Sequence, residues 1–435
     1  MLSFTNINLK KNKYNRNIRG YFMISKKDGK FLEGIINKLN KTNLKSSNSY
    51  PLLEKGFSNE DIMRGIEVLL SRKITMSDIT KKFEDYFSKF VGSKYSLMVN
   101  SGSSANLLAA FALVNPKKKN RLKVGDKFII PAVCWSTSLW PLVQCGLKPQ
   151  FVDVNINNFC IDENLLRKEN RTKAIMNIHI LGNSTNIDKL LNFARSNRMY
   201  LIEDTCEALG SKFNSKYLGT FGDFGTYSFY YSHQITSGEG GMIVCKTKED
   251  YDLLHTMRAH GWDRGLNKSK KLNNFNFINS GFNLRPMDVT AAIGLSQLKR
   301  LNKMIKSRSK NRKLIINKIK NHKNWNNQYT FFEQSKNLEP SWFGLPLLIN
   351  QKHLIHKEIF LKYLNSAGIE TRPILSGNFL NQPSCKLYKF KFNKKNFKVS
   401  QEIEDRGFFI GLPTKDMSLS TLDFLTENLL KITNH

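Results

Sequence analysis

The stretch GTYSFYYSHQITSGEGGMIVC, Gly225 to Cys245, decides how the rest of the chain is read. Tyr227 to Tyr231 is aromatic and β-prone, and Met242 to Cys245 is a second apolar run. Between them Ser237-Gly238-Glu239-Gly240-Gly241 is a turn of minimal bulk. The pattern is strand, polar segment, glycine turn, strand. On spacing alone it also suits an ordinary β-hairpin with a bulged connection. One titratable ring, His233, sits in its middle, and histidine moves protons near neutral pH because its unperturbed pKa is about 6.5.

Upstream, short apolar runs alternate with helical patterns. Tyr95 to Val99 feeds Asn100-Ser101-Gly102-Ser103-Ser104-Ala105-Asn106 and a helix of Leu and Ala. A strand, a small-residue turn and a helix start bring N–H groups and hydroxyls to a positive helix end, which suits a phosphate; many such turns are only caps. Phe128 to Pro131 precedes Cys134-Trp135-Ser136-Thr137, and Phe151-Val152-Asp153, Ala174 to Ile178 and Met199 to Asp204 read as further strands. This alternation predicts an α/β fold with a mostly parallel sheet and helices on both faces. Ligands collect at strand ends in such sheets. Asp204 sits at one, where a carboxylate is a helix cap or a ligand group.

Outside that core, residues 1–49 are a basic, asparagine-rich extension with weak periodicity from Phe31 to Leu39. Ser58 with Asp61 signals a helix start, followed by Ile62, Ile66, Leu69 and Leu70. A second helix carries Ile79, Phe83, Tyr86, Phe87 and Phe90; both stripes are expected in the core. Thr247 and Asp250 start a helix, and the basic loop Arg264 to Lys271 is expected to be mobile. Pro286 is placed for the first turn of a long helix. A lysine-heavy helix from Lys299 to Asn327 bridges to a smaller α+β unit with strands at Leu345 to Ile349 and Phe408 to Leu412, a helix from His353 to Ala367, and a last helix starting at Ser420 with Asp423. The expected division is 1–49, a large domain 50–305 and a small domain 306–435.

Composition narrows the classes. A chain of 435 residues can bury a sizeable core. Six cysteines show no CxxC, and no run of about 18 apolar residues or signal-peptide pattern is present, which points to the reducing cytoplasm and away from membranes. The formal charge of +33 invites a nucleic-acid reading. Against it, lysine and asparagine are spread along the whole chain without a nucleic-acid motif, and a bias toward AT-rich codons gives the same composition; the charge would also attract an anionic small substrate.

The motifs above resemble the DegT/DnrJ/EryC1/StrS family of sugar aminotransferases. Ser-Phe-Tyr before GEGG is similar to the loop in which the fifth residue after the serine is a lysine, Schiff-based to pyridoxal phosphate. Counting from Ser228, that residue is His233. The exchange resembles the family's 3-dehydratases of 4-keto-6-deoxy nucleotide sugars, which hold pyridoxamine phosphate without a covalent link and use the histidine as base. Gln234 stands where that branch has a second histidine. The resemblance implies the aspartate-aminotransferase-like fold (fold type I), with Gly102, Ser103, Ser104 and Ser228 around the cofactor phosphate. It implies Trp135 stacked on the ring, Asp204 on the ring nitrogen and Glu207 beside it. Asn283, in Gly281-Phe282-Asn283-Leu284-Arg285, matches an asparagine reaching the neighbouring subunit's phosphate, hence a homodimer with shared sites. Arg372 matches a position suited to gripping a carboxylate, and equally to a structural ion pair.

Three functions stay open on this footing: a lyase that removes the C3 hydroxyl in deoxysugar and O-antigen lipopolysaccharide synthesis, a sugar aminotransferase, and a non-catalytic member. One dehydratase branch carries a [2Fe–2S] cluster held by a close group of cysteines. Here no two cysteines are closer than Cys134 and Cys145, and none lies between Cys245 and Cys385. The expectation is therefore no cluster and no metal, a GDP- or CDP-linked sugar as substrate, and glutamate as amino donor.

Overall fold

The structure is a computed structural model that describes residues 26–43, 49–53, 56–266, 275–332, 334–353 and 357–434. The basic loop expected from Arg264 to Lys271 lies outside these beyond Leu266. Seven strands make the main sheet: β1 (Tyr95–Val99), β2 (Lys127–Pro131), β3 (Lys148–Val152), β4 (Thr172–Ile178), β5 (Tyr200–Asp204), β6 (Phe224–Ser228) and β7 (Gly241–Cys245). Their order is β1-β7-β6-β5-β4-β2-β3. Only β7 runs against its neighbours. The chain returns from β6 through residues 229–240 without a crossover helix, and such a return forces antiparallel pairing.

Helices cover both faces. They are α1 (Lys26–Asn43), α2 (Asn59–Ser71), α3 (Asp78–Val91), α4 (Gly102–Val114), α5 (Ser136–Gln144), α6 (Ile187–Ser196), α7 (Lys248–Arg258), α8 (Asp288–Leu298) and α9 (Leu301–Lys320). The two-residue period of a strand sorts side chains between the faces. Leu97, Val99 and Ile243 pack with Ala105 and Leu108 of α4. Met98, Met242 and Val244, one residue out of phase, pack with Phe83 and Phe87 of α3 and Ala291 of α8.

A second sheet holds β8 (Tyr329–Phe331), β9 (Gly344–Ile349), β10 (Thr371–Arg372) and β11 (Gly407–Gly411), all antiparallel, in the order β8-β9-β11-β10. One face packs Leu345, Leu347, Phe408 and Ile410 with Ile315 and Ile319 of α9. Leu348 and Phe409 on the other face join the core of the main sheet. Asp153, just past β3, fastens the seam by accepting the backbone N–H groups of Val399 and Ser400, each at 2.9 Å, at the start of the helix Lys398–Arg406.

Several local expectations change. Leu69 and Leu70 are exposed, because the face of α2 that meets α8 is Asp61, Gly65 and Val68, where the missing side chain of Gly65 admits Ile293. Tyr86 is exposed as well, while Phe83 and Phe87 are buried. The strand through Tyr227 stops at Ser228, leaving Tyr230 and Tyr231 half exposed in the loop. Pro286 precedes the N-cap residue Met287 instead of entering α8, and the lysine-heavy helix is α9, Leu301–Lys320, shorter than the expected Lys299 to Asn327. The helix expected from His353 is described as Lys357–Ser366. Ser418, which has the extended backbone of a cap, starts the last helix and accepts the Thr421 N–H, so Ser420 lies inside it. The Ser58–Asp61 capping box is present as read.

Candidate active site

The carboxyl ends of β1, β2, β5 and β6 meet at one place. α4 starts there: Ser101 caps it, its hydroxyl accepting the Ser104 N–H at 3.1 Å. Gly102 is its first residue, and an added Cβ would stand 2.5 Å from Ser228 Cβ. Gly241 of the GEGG turn is equally tight, since a Cβ would lie 2.3 Å from the Ser101 carbonyl oxygen. These two glycines let α4 and the β6–β7 connection approach closely, placing N–H groups and the hydroxyls of Ser103, Ser104 and Ser228 at a positive helix end. Ser103 Oγ donates to Thr137 Oγ1 at 3.2 Å, joining α4 to α5. Trp135, the residue before α5, is 53% exposed, so its ring is available as a stacking surface.

At the end of β5 two acids point to opposite duties. Glu203 is fully buried and accepts the N–H groups of Gly219 (3.0 Å), Phe221 and Gly222 (both 2.7 Å), with His179 Nε2 at 3.1 Å. Burial pushes its carboxyl up, but His179 and these N–H groups together hold it below the ordinary range. Its role is to fix the turn leading into β6. Asp204 accepts Asn106 Nδ2 at 2.8 Å and Ser138 Oγ at 2.7 Å on Oδ2, and the Cys206 N–H at 3.1 Å on Oδ1. Oδ2 thus takes two side-chain donors, while Oδ1 takes one backbone N–H, with the Cys206 thiol against the same carboxylate. Glu207, half-buried, accepts the Leu181 N–H at 3.0 Å. Burial pushes its carboxyl up to about 7, Leu181 opposing and Asp204 adding to the rise.

His233 lies in the loop after β6, edge-on to Phe343 at 5.1 Å and to Tyr230 at 5.8 Å. Its Nδ1 is buried without a partner among the described residues, which leaves Nε2 as the nitrogen that can face a substrate. Burial, and after it the charge of Arg308, pushes the ring down to about 3, so it is neutral at working pH. Gln234 turns away: its amide donates to the carbonyls of Glu207 and of Ser341, the latter at 3.2 Å. The Gln234 side chain therefore ties the site to the segment before β9.

The structure thus gathers Gly102, Ser103, Ser104, Trp135, Asp204, Glu207, Ser228 and His233 around one mouth. Asn283 stands apart, exposed, its amide oxygen accepting Arg285 Nε at 3.0 Å. Arg372 stands apart too, paired with Glu370 at 2.5 Å and bonded to the Thr371 carbonyl. Sequence reading missed Ser138, and gave no role to Asn106, which closes the NSGSSAN motif, or to Gln234, which it singled out only for its place beside His233. It also missed Arg308, for which a lysine-rich helix gives no signal.

Among the described residues no helix is long and apolar enough to cross a membrane. The family model for DegT/DnrJ/EryC1/StrS aminotransferases matches residues 57–427. The chain is 38% identical to a GDP-4-keto-6-deoxy-D-mannose 3-dehydratase of Escherichia coli O55:H7, over 88% of this chain and 99% of that protein. It is 33% identical to the lipopolysaccharide biosynthesis protein RfbH of Salmonella typhimurium, over 80% and 83%. The crystal structure of the E. coli dehydratase with bound hydrated PLP superposes with a TM-score of 0.81 at 38% identity, covering 88% of this chain and all of that one. The Helicobacter pylori aminotransferase PseC, 23% identical, shares the fold with a TM-score of 0.78 over 89% and 99%. With the strand-end acids, the small-residue helix start and the GEGG loop in place, the chain belongs to the DegT/DnrJ/EryC1/StrS aminotransferase family, with its aspartate-aminotransferase-like fold.

Proposed function

We propose that the protein is a pyridoxamine-phosphate-dependent 3-dehydratase that removes the C3 hydroxyl of GDP-4-keto-6-deoxymannose, supplying a deoxysugar for O-antigen lipopolysaccharide. His233 carries this reading: an imidazole at the family's lysine position cannot hold the coenzyme covalently, yet can move a proton. The residues present fit the coenzyme. Gly102 lets the start of α4 close on Ser228, and the N–H groups there with the hydroxyls of Ser103, Ser104 and Ser228 are donors for a phosphate. Trp135 offers a ring face, and Asp204, oriented at the end of β5, offers a carboxylate for a ring nitrogen. When bound, pyridoxamine phosphate supplies an amine for the C4 ketone and a ring that takes up electrons.

The chain's own residues do the rest. Asn106 and Ser138 orient the Asp204 carboxylate, whose fixed negative charge keeps a pyridine nitrogen protonated. His233, part-buried and neutral, takes a proton at Nε2 and returns one to the departing C3 hydroxyl, which leaves as water. Glutamate, as amino donor, supplies the two reducing equivalents and becomes 2-oxoglutarate, with ammonia released. The excess of 68 basic over 35 acidic residues favours capture of a diphosphate-linked sugar.

We infer a homodimer in which Asn283 completes the partner's phosphate site, and Arg372 as a lower-ranked contact to an anionic ligand. The division into 1–49, 50–305 and 306–435 belongs to the same reading, as does a cytoplasmic setting, where six unpaired cysteines stay reduced.

The test combines enzyme, coenzyme, glutamate and GDP-4-keto-6-deoxymannose, with the sugar followed by NMR. A 3-deoxy sugar and free ammonia are expected, and borohydride should leave no coenzyme on the protein. His233→Lys should lose dehydration and become reducible to a covalent adduct. A stable 4-amino sugar that keeps its C3 hydroxyl would make the protein an aminotransferase.

A further inference from the structure

Arg308 lies on α9 with 2% of its surface exposed, and no carboxylate among the described residues pairs with it. An unpaired buried guanidinium is costly, and burial alone pulls its own pKa down to about 10, still charged at neutral pH. Nε donates to the Leu412 carbonyl at 3.2 Å and Nη1 to the Trp342 carbonyl at 3.3 Å; Nη2 has no partner among the described residues. The segment that it grips borders the His233 loop on two sides. Phe343, next to Trp342, is edge-on to the imidazole, and the Ser341 carbonyl accepts Gln234, the residue after His233. Four partnerless buried polar atoms fall along this seam: His233 Nδ1, Gln234 Oε1, Ser341 Oγ and Arg308 Nη2.

The other charges around the imidazole are committed elsewhere. On α9, Arg312 lies over the Trp342 ring at 4.2 Å and bonds the Phe332 carbonyl. In the turn after β5, Asp204 is held by Asn106, Ser138 and Cys206, and Glu207 by Leu181. On its own loop the nearest titratable group is the half-exposed Tyr230 phenol.

We propose that Arg308 is a positioning residue for His233: it pins Trp342–Phe343 against the imidazole, and its uncompensated charge keeps that ring in the proton-accepting form. A proton on His233 would add a second positive charge near a guanidinium that is itself shielded from water. This agrees with Arg308 being the one charged side chain that depresses His233. The inference rests on His233 acting as the base.

Histidine-labelled holoenzyme, with the His233 signal assigned through its loss in His233→Asn, should show a neutral ring throughout about pH 5 to 8. In Arg308→Gln the ring should titrate at least one pH unit higher, and the acid limb of kcat/KM should move up with it. Arg308→Lys, which keeps the charge and loses the fork, should leave the limb in place and lower kcat. A wild-type ring titrating near its ordinary value overturns the proposal even if Arg308→Gln does not fold. So does a folded Arg308→Gln whose ring and acid limb stay where they were. These titrations read the ring itself, so they stand or fall separately from whether the C3 hydroxyl is removed.

Discussion

Asn106 and Asp204, 98 positions apart, meet through a 2.8 Å hydrogen bond from Nδ2 to Oδ2, which locks the first turn of α4 to the end of β5. Asn106 Oδ1 in turn accepts the Thr226 hydroxyl at 2.7 Å, adding β6 to the same knot. One amide thus sets the helix end, the acid and the strand that leads to His233 in a fixed relation.

Asp204→Asn is expected to preserve this knot and remove the charge. Turnover should fall by at least ~10²-fold, the scale of losing one preorganised electrostatic partner. Melting should stay close to wild type by calorimetry, since an amide oxygen in the place of Oδ2 still accepts from Asn106 and Ser138, and only the Cys206 N–H loses its acceptor. Near-normal turnover would take Asp204 out of the site.

Gly102→Ala puts a methyl where Ser228 Cβ lies 2.5 Å away. Overpacking of this kind costs about 1–3 kcal/mol. The strain should appear mainly as weaker coenzyme binding, more than tenfold by fluorescence titration, because the same atoms line the phosphate position. Unchanged affinity in a folded variant would mean that the phosphate sits elsewhere.

Asn283→Ala and His233→Ala should each be inactive alone. Mixed and reassembled, they should recover about a quarter of wild-type activity, since half of the dimers are hybrids and each hybrid has one intact site. No recovery despite hybrid formation, or a monomer in sedimentation, would remove the shared-site arrangement.

Glu203 predicts a pH dependence of stability. Its folded-state pKa lies below the unfolded one, so its contribution is present above the unfolded value, near 4.5, and is lost as pH falls through the folded value. Between neutral pH and pH ~3 the melting temperature of wild type should fall more steeply than that of Glu203→Gln. Parallel curves would mean that His179 and the Gly219–Gly222 N–H groups do not hold the carboxylate ionised.

Much of this was legible in the chain itself. β-α alternation and strand lengths announced a mostly parallel sheet, because a strand's period and a helix's period are local properties. NSGSSAN, Asp204 and the GEGG turn were readable because small residues and a strand-end acid mark backbone approach and ligand contact. Segments whose partner lies far away in sequence were not. Leu69 and Leu70 look like a core stripe, yet the packed face is set by Gly65 against α8, more than two hundred residues later.

The sequence by itself determined the elements, the acid and the imidazole; tertiary structure decided their environments. Charge and burial depend on neighbours from other elements. Arg308 is one basic residue among many in α9 until the fold buries it between Leu412 and Trp342. His233 is an ordinary histidine until the fold packs it against Phe343 and within reach of the Arg308 charge, since the cost of a proton depends on local dielectric and nearby charge.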